Sequence, residues 1–143
     1  MSRTTATLIL CLGCSACADP DHAALIGKWK VARYESEGKV ASLEKFTSIL
    51  TIEDGRGDFG LDGGEGKFTY TIDPSRSPKH LDITFGGSMV NGAKALDIYK
   101  LDGDRLTICS VSLRDGGETR PAGFSSEGKG NAVVEYRRVG GAK

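Results

Sequence analysis

Eight short stretches of this chain alternate apolar and polar residues with a period of two. Each is bounded by glycine, aspartate or proline. They are GKWKVARYE from Gly27, TSILTIE from Thr47, GDFGL from Gly57, GKFTYTI from Gly66, HLDITF from His80, KALDIYKL from Lys94, RLTICSVSL from Arg105 and NAVVEYRRV from Asn131. A period of two sends successive side chains to opposite faces, so such stretches read as half-buried strands. The short connections make neighbours mostly antiparallel, and eight antiparallel strands can close on themselves and leave no exposed edge. The expected fold is therefore all-β, an eight-stranded antiparallel barrel. One short helix is expected after the first strand, in VASLEKF (Val40–Phe46), with Ser42 as N-cap and Leu43 and Phe46 one turn apart. A chain of 143 residues makes one domain with a real core, and its 20 glycines favour turns over long helices.

Register is testable in ALDIYKLDGDRLTIC, Ala95–Cys109. A two-residue turn at Asp102-Gly103 would place Asp97 opposite Ile108. A four-residue turn from Asp102 to Arg105 pairs Leu101 with Leu106 and Tyr99 with Ile108, and on the other face Ile98 with Cys109 and Leu96 with Val111. Register follows the hydrophobic pattern, so the second arrangement is expected. Cys109 then sits mid-strand among aliphatic side chains as a small hydrophobe with a raised pKa, not as a nucleophile.

The N-terminus reads as an address. MSRTTATLILCLGCSAC has one cation, Arg3, then a short apolar run, then small residues, the three parts of a secretory signal. The run is about half the ~20 residues that span a bilayer. Its end, CSAC, looks like a bacterial lipobox, in which the cysteine is acylated and becomes the new N-terminus. Cys17 is the expected site, because cleavage at Cys14, the alternative, leaves a short apolar region. An ordinary secretory signal cut near Ala16 or Ala18 is the other reading. The chain thus divides into a signal (residues 1–16), a polar tether (17–24) and a barrel domain (25–139). Export across the inner membrane and lipid anchorage in the envelope, on its periplasmic or outer-membrane face, follow. Cys11 and Cys14 leave with the signal and Cys17 carries lipid, so Cys109 remains alone and no intrachain disulfide is expected. Cleavage at Cys14 would reopen a Cys17–Cys109 pairing. Lys plus Arg and Asp plus Glu both total 19, and nothing in the sequence clusters into a positive face, so nucleic acid is not an expected partner.

Several motifs invite chemistry and fall short of it. Arg56-Gly57-Asp58 spells an adhesion tripeptide but is most simply a turn. Asp54, Asp58 and Glu65 sit at positions 1, 5 and 12 of a calcium loop, yet Arg56 occupies position 3 and Phe59 replaces the glycine of position 6. GGEGKF begins like a calcium-binding nonapeptide, has Phe68 where the aspartate belongs, and does not recur. His22 and His80 with one free cysteine make no zinc cage. Ser88 lacks the second glycine of a nucleophile elbow. Asp102 and Asp104 sit at a hairpin tip, where water keeps both ionised. No metal or cofactor is expected, and no nucleophile–base pair supports hydrolase activity.

LIGKWKV, DPSRSPKHLDITF, ALDIYKLDGDRLTIC and GETRPAGFSS occur here in the order and spacing of a small lipocalin-like domain family abundant in planctomycete bacteria. The resemblance runs from about Leu25 to Arg138. It implies a lipocalin-like barrel with no established activity, commonly behind a secretory or lipoprotein signal. Gly27-Lys28-Trp29 resembles the Gly-x-Trp opening of true lipocalins, in which the Trp plugs one barrel end under an Arg from the last strand. The matching residue is Arg138, with Arg137 the second choice, in a cation–π pair worth about 0.5–2 kcal/mol. The chain departs from the family in EDGRGDFGLDGGEG, Glu53–Gly66, which is unusually rich in glycine. Arg120, Pro121 and Phe124 match the family pattern in TRPAGF. Arg120 at a barrel rim suits an anionic ligand, or fixes its own loop by bonding backbone carbonyls, the reading favoured here.

The function expected is a non-enzymatic, monomeric, lipid-tethered binding module. It would hold a small apolar or amphipathic ligand among the inward aromatics Trp29, Tyr70, Phe85 and Tyr99, with Arg120 beside them. The alternative is a filled barrel serving as a protein-interaction or envelope-structural domain. An eight-stranded barrel is either filled by side chains or just wide enough for one small ligand.

Overall fold

The computed structural model describes residues 19–87, 91–113 and 118–140. The signal segment with Cys14 and Cys17 lies outside these residues, as does Ser88. A short helix, α1 (Pro20–Leu25), precedes β1 (Gly27–Ser36), β2 (Lys39–Val40), β3 (Ile49–Glu53), β4 (Arg56–Asp58), β5 (Lys67–Asp73), β6 (Lys79–Phe85), β7 (Lys94–Asp102), β8 (Arg105–Val111) and β9 (Asn131–Arg138). From β3 to β9 each strand pairs antiparallel with the next, and β1 pairs with both β3 and β9. That closes an eight-stranded antiparallel barrel, with β2 outside it on the end of β1.

The hairpin has the expected register: Leu101 faces Leu106, Tyr99 faces Ile108 and Ile98 faces Cys109. Asp102 pairs with Arg105, and Gly103 at the first loop position takes φ +56°, a conformation costly for any residue with a Cβ. The expected helical turn after β1 is a single 3-10 turn, Leu43–Lys45, where the Ser42 hydroxyl accepts from the Glu44 amide. A bulge between Val31 and Arg33 shifts the pairing of β1 with β9.

Two segments differ from their sequence reading. The polar tether of residues 17–24 contains α1, because Asp19 caps it by accepting from the Asp21 amide and Pro20 pre-sets its first turn. The docked residue is Leu25, 2 % exposed against the barrel end. The third strand, read as Gly57–Leu61, is Arg56–Asp58, so the Arg-Gly-Asp tripeptide is strand and the turn is Asp54-Gly55. The strand stops at Asp58 because its carboxylate accepts from the Gly60 amide at 2.7 Å and Gly60 takes φ +70°. The Phe59 amide still donates to the Gly66 carbonyl at 3.0 Å, and its ring packs on Phe68, 4.7 Å between centroids. Gly57 is required where it stands, since a Cβ there would lie 2.3 Å from the Phe68 ring and 2.8 Å from the Thr51 carbonyl oxygen.

Candidate functional site

The alternation that closes the barrel sends Trp29, Tyr70 and Tyr99 inward, where all three are buried. Each spends its polar atom on the fold. The Trp29 indole N–H donates to the Leu25 carbonyl at 2.9 Å. The Arg138 guanidinium lies 4.1 Å from the Trp29 ring and donates to the carbonyls of Ala24 and Ile26, so the Arg expected over the plug is Arg138. The Tyr99 hydroxyl donates to Asp21 at 2.8 Å, and Lys79 holds the same carboxylate oxygen at 2.5 Å. Tyr70 donates to the Glu53 carbonyl at 2.9 Å. Phe85 is half-buried near the other end, its ring 6.1 Å from that of Phe59. Helix α1 therefore closes one mouth of the barrel, held by Asp21 to β6 and β7, by His22 to Asp54 at 2.6 Å, and by Arg138 to β9.

The four aromatics do not line a chamber. The enclosed space among Leu25, Leu50, Phe59, Phe68, Tyr70 and Leu81 is about 20 Å³, enough for one water and far below the few hundred Å³ of a ligand site. The Phe59 ring, packed on Phe68, is part of what fills it.

Arg120 lies outside the ring across β6 and β7. Its guanidinium donates to the Asp97 carbonyl and to the Asp82 carboxylate, both at 2.6 Å. The favoured reading as a loop-fixing residue describes its bonds, with a carboxylate added to the carbonyl. Cys109 faces outward beneath the same loop, its sulfur 3.5 Å from the Gly123 carbonyl oxygen and 3.7 Å from that of Ser125. Burial pushes its thiol up, away from the reactive thiolate. The calcium-loop residues do not converge, since Asp54 holds His22 and Asp58 holds the Gly60 amide.

Asp97 is the side chain that sequence reasoning missed. Its place on β7 has the parity of Ala95 and Tyr99, so it points into the barrel, and it is 3 % exposed. It accepts from the Ser110 hydroxyl, while its Oδ1 has no hydrogen-bond partner. Burial raises its pKa to about 7, and the charge of Asp82 adds to the rise. Ser110 and the Arg120 guanidinium pull the other way. The signal was one acid in the apolar parity of an alternating strand.

The larger open space is on the outside. A groove of about 840 Å³ crosses β3 to β6, lined by Thr51, Glu53, Arg56, Asp58, Lys67, Thr69 and Thr84, by Phe68 and the predicted ligand residue Phe85, and by Asn91 and Gly92. Arg56 and Glu53 pair within it at 2.5 Å. Exposed apolar side chains do not gather there. Ile26 and Val139 lie at the α1 end, Val40 at the opposite end, Leu43 beside Lys30 and Val31, and Leu61 and Leu113 elsewhere. No family model, curated protein or solved structure matches the chain.

Proposed function

We propose that this is an exported, lipid-anchored envelope domain that works from its outer surface, a non-enzymatic protein-interaction module built on a filled barrel. The observation that carries the reading is the enclosed volume of about 20 Å³, which leaves no room for the small apolar ligand that an open eight-stranded barrel would hold. The leader's lipobox at Cys17 and the resemblance to a lipocalin-like family support export and anchoring. An open groove of about 840 Å³, with acids, bases and threonines set around Phe68 and Phe85, suits a partner surface of mixed polar and apolar character. The test is photocrosslinking in the intact envelope from a benzophenone side chain at Thr69, in the groove, and at Glu44, on the opposite side of β3 from it. A discrete product from Thr69 that disappears when Thr84→Arg fills the groove supports the reading. Identical products from both positions, unaffected by that substitution, overturn it.

A further inference from the structure

Four cations from three strands meet on one face. Lys30 of β1 lies opposite Arg137 of β9, and Arg137 lies opposite Arg105 of β8. Lys28 is the next outward residue along β1, and its carbonyl accepts from the Val139 amide. All four are exposed and among the described residues no ion pair involves any of them, although Asp102 stands cross-strand from Arg105 and Glu44 shares a surface hollow with Lys30. The patch adjoins the barrel end closed by α1. There Ile26 is 41 % and Val139 45 % exposed, with Ala23 and Ala24 exposed beside them. Arg138 gathers these residues by bonding the carbonyls of Ala24 and Ile26.

The chain also enters at this end. Asp19 caps α1, and one residue, Ala18, separates it from Cys17, a reach of at most ~7 Å. A domain acylated at Cys17 has no slack with which to stand away from its leaflet. We propose that the β8–β9–β1 face beside α1 lies on the membrane, with Ile26 and Val139 at the interface and Lys28, Lys30, Arg105 and Arg137 on anionic lipid headgroups. The opposite end, with β2, then projects away from the bilayer. The orientation rests on the anchor proposed above. It explains why the segment read as a tether is folded and bonded to the barrel at four places: it sets the barrel's angle to the membrane.

The full-length chain, expressed and processed in a bacterium, is reconstituted into vesicles of phosphatidylethanolamine with a minority of phosphatidylglycerol. A fluorophore is placed at Ile26→Cys, at Val139→Cys or at Lys39→Cys, and the lipid headgroups carry a nitroxide quencher. Lys39 lies roughly 30 Å along the barrel from Ile26, at the strand rise of β1. Ile26 and Val139 should be quenched several-fold more strongly than Lys39. Raised salt, or Lys28→Glu with Lys30→Glu and Arg137→Glu, should bring the three sites closer together. Equal quenching at all three, in chain whose mass shows acylation at Cys17, overturns the orientation and leaves the anchor standing. A mass without lipid at Cys17 overturns both. Strong quenching that ignores both salt and charge reversal overturns the role given to the cations.

Discussion

Replacing Asp97 by asparagine keeps the shape of the side chain and its contact with Ser110 but removes the charge that burial disfavours. The Asp97 carboxyl titrates at about 7 in the folded protein, against 3.8 for an unperturbed aspartate. The folded state therefore holds this proton more tightly than the unfolded state does. Below about pH 4 both states are protonated and the group contributes nothing to pH dependence. Between about pH 4 and 7 only the unfolded chain gives up the proton, so stability falls as pH rises. The three-unit difference, at ~1.4 kcal/mol per unit, makes the full cost about 4 kcal/mol above pH 7. Urea unfolding followed by the fluorescence of Trp29, the single tryptophan, measures it at a series of pH values. Asp97→Asn should match the parent near pH 4, apart from a constant offset, and exceed it by about 4 kcal/mol near pH 8. Asp21, Glu35 and Asp73, whose carboxyls are held below their usual range, titrate alike in both proteins, so the difference curve isolates Asp97. Parallel curves for the two proteins would refute the reasoning.

Gly57→Ala should cost about 1–3 kcal/mol in the same urea assay, because its methyl enters the Phe68 ring and the Thr51 carbonyl. Arg138→Leu should cost about 1–3 kcal/mol and weaken the near-ultraviolet dichroism of Trp29, since a cation–π contact and two carbonyl bonds are lost together. Arg138→Lys should recover only part of this, as one ammonium lacks the planar fork. Cys109 should resist a thiol reagent in the native protein and react on unfolding; prompt native reaction would show the covering loop to be open.

The architecture was legible wherever apolar parity was strong. The pairing of Leu101 with Leu106 follows from the apolar parity of the hairpin, whereas the stacking of Arg138 on Trp29 was expected only from the resemblance carried by Gly27-Lys28-Trp29. The glycine-rich segment after Glu53 was not legible, because Asp58 ends its strand by a side-chain bond to Gly60 that has no periodic trace. Phe59, two residues beyond Gly57 and on the same face, packs its ring against Phe68 and Phe85. Helix α1 carried its own signs, a capping Asp19 and Pro20 at the first turn, but six residues from Pro20 to Leu25 are too few to show helical periodicity. The basic face is invisible to composition, since balanced totals conceal Lys30, Arg105 and Arg137, which only the strand pairing brings side by side.

A barrel packed shut by its own aromatic side chains should carry nothing inside. Native mass spectrometry of the chain gently extracted from the cells that express it reads this directly. The account predicts the mass of the processed polypeptide with its anchor and no other small molecule. A stoichiometric apolar adduct that survives extraction and departs only on unfolding would contradict it.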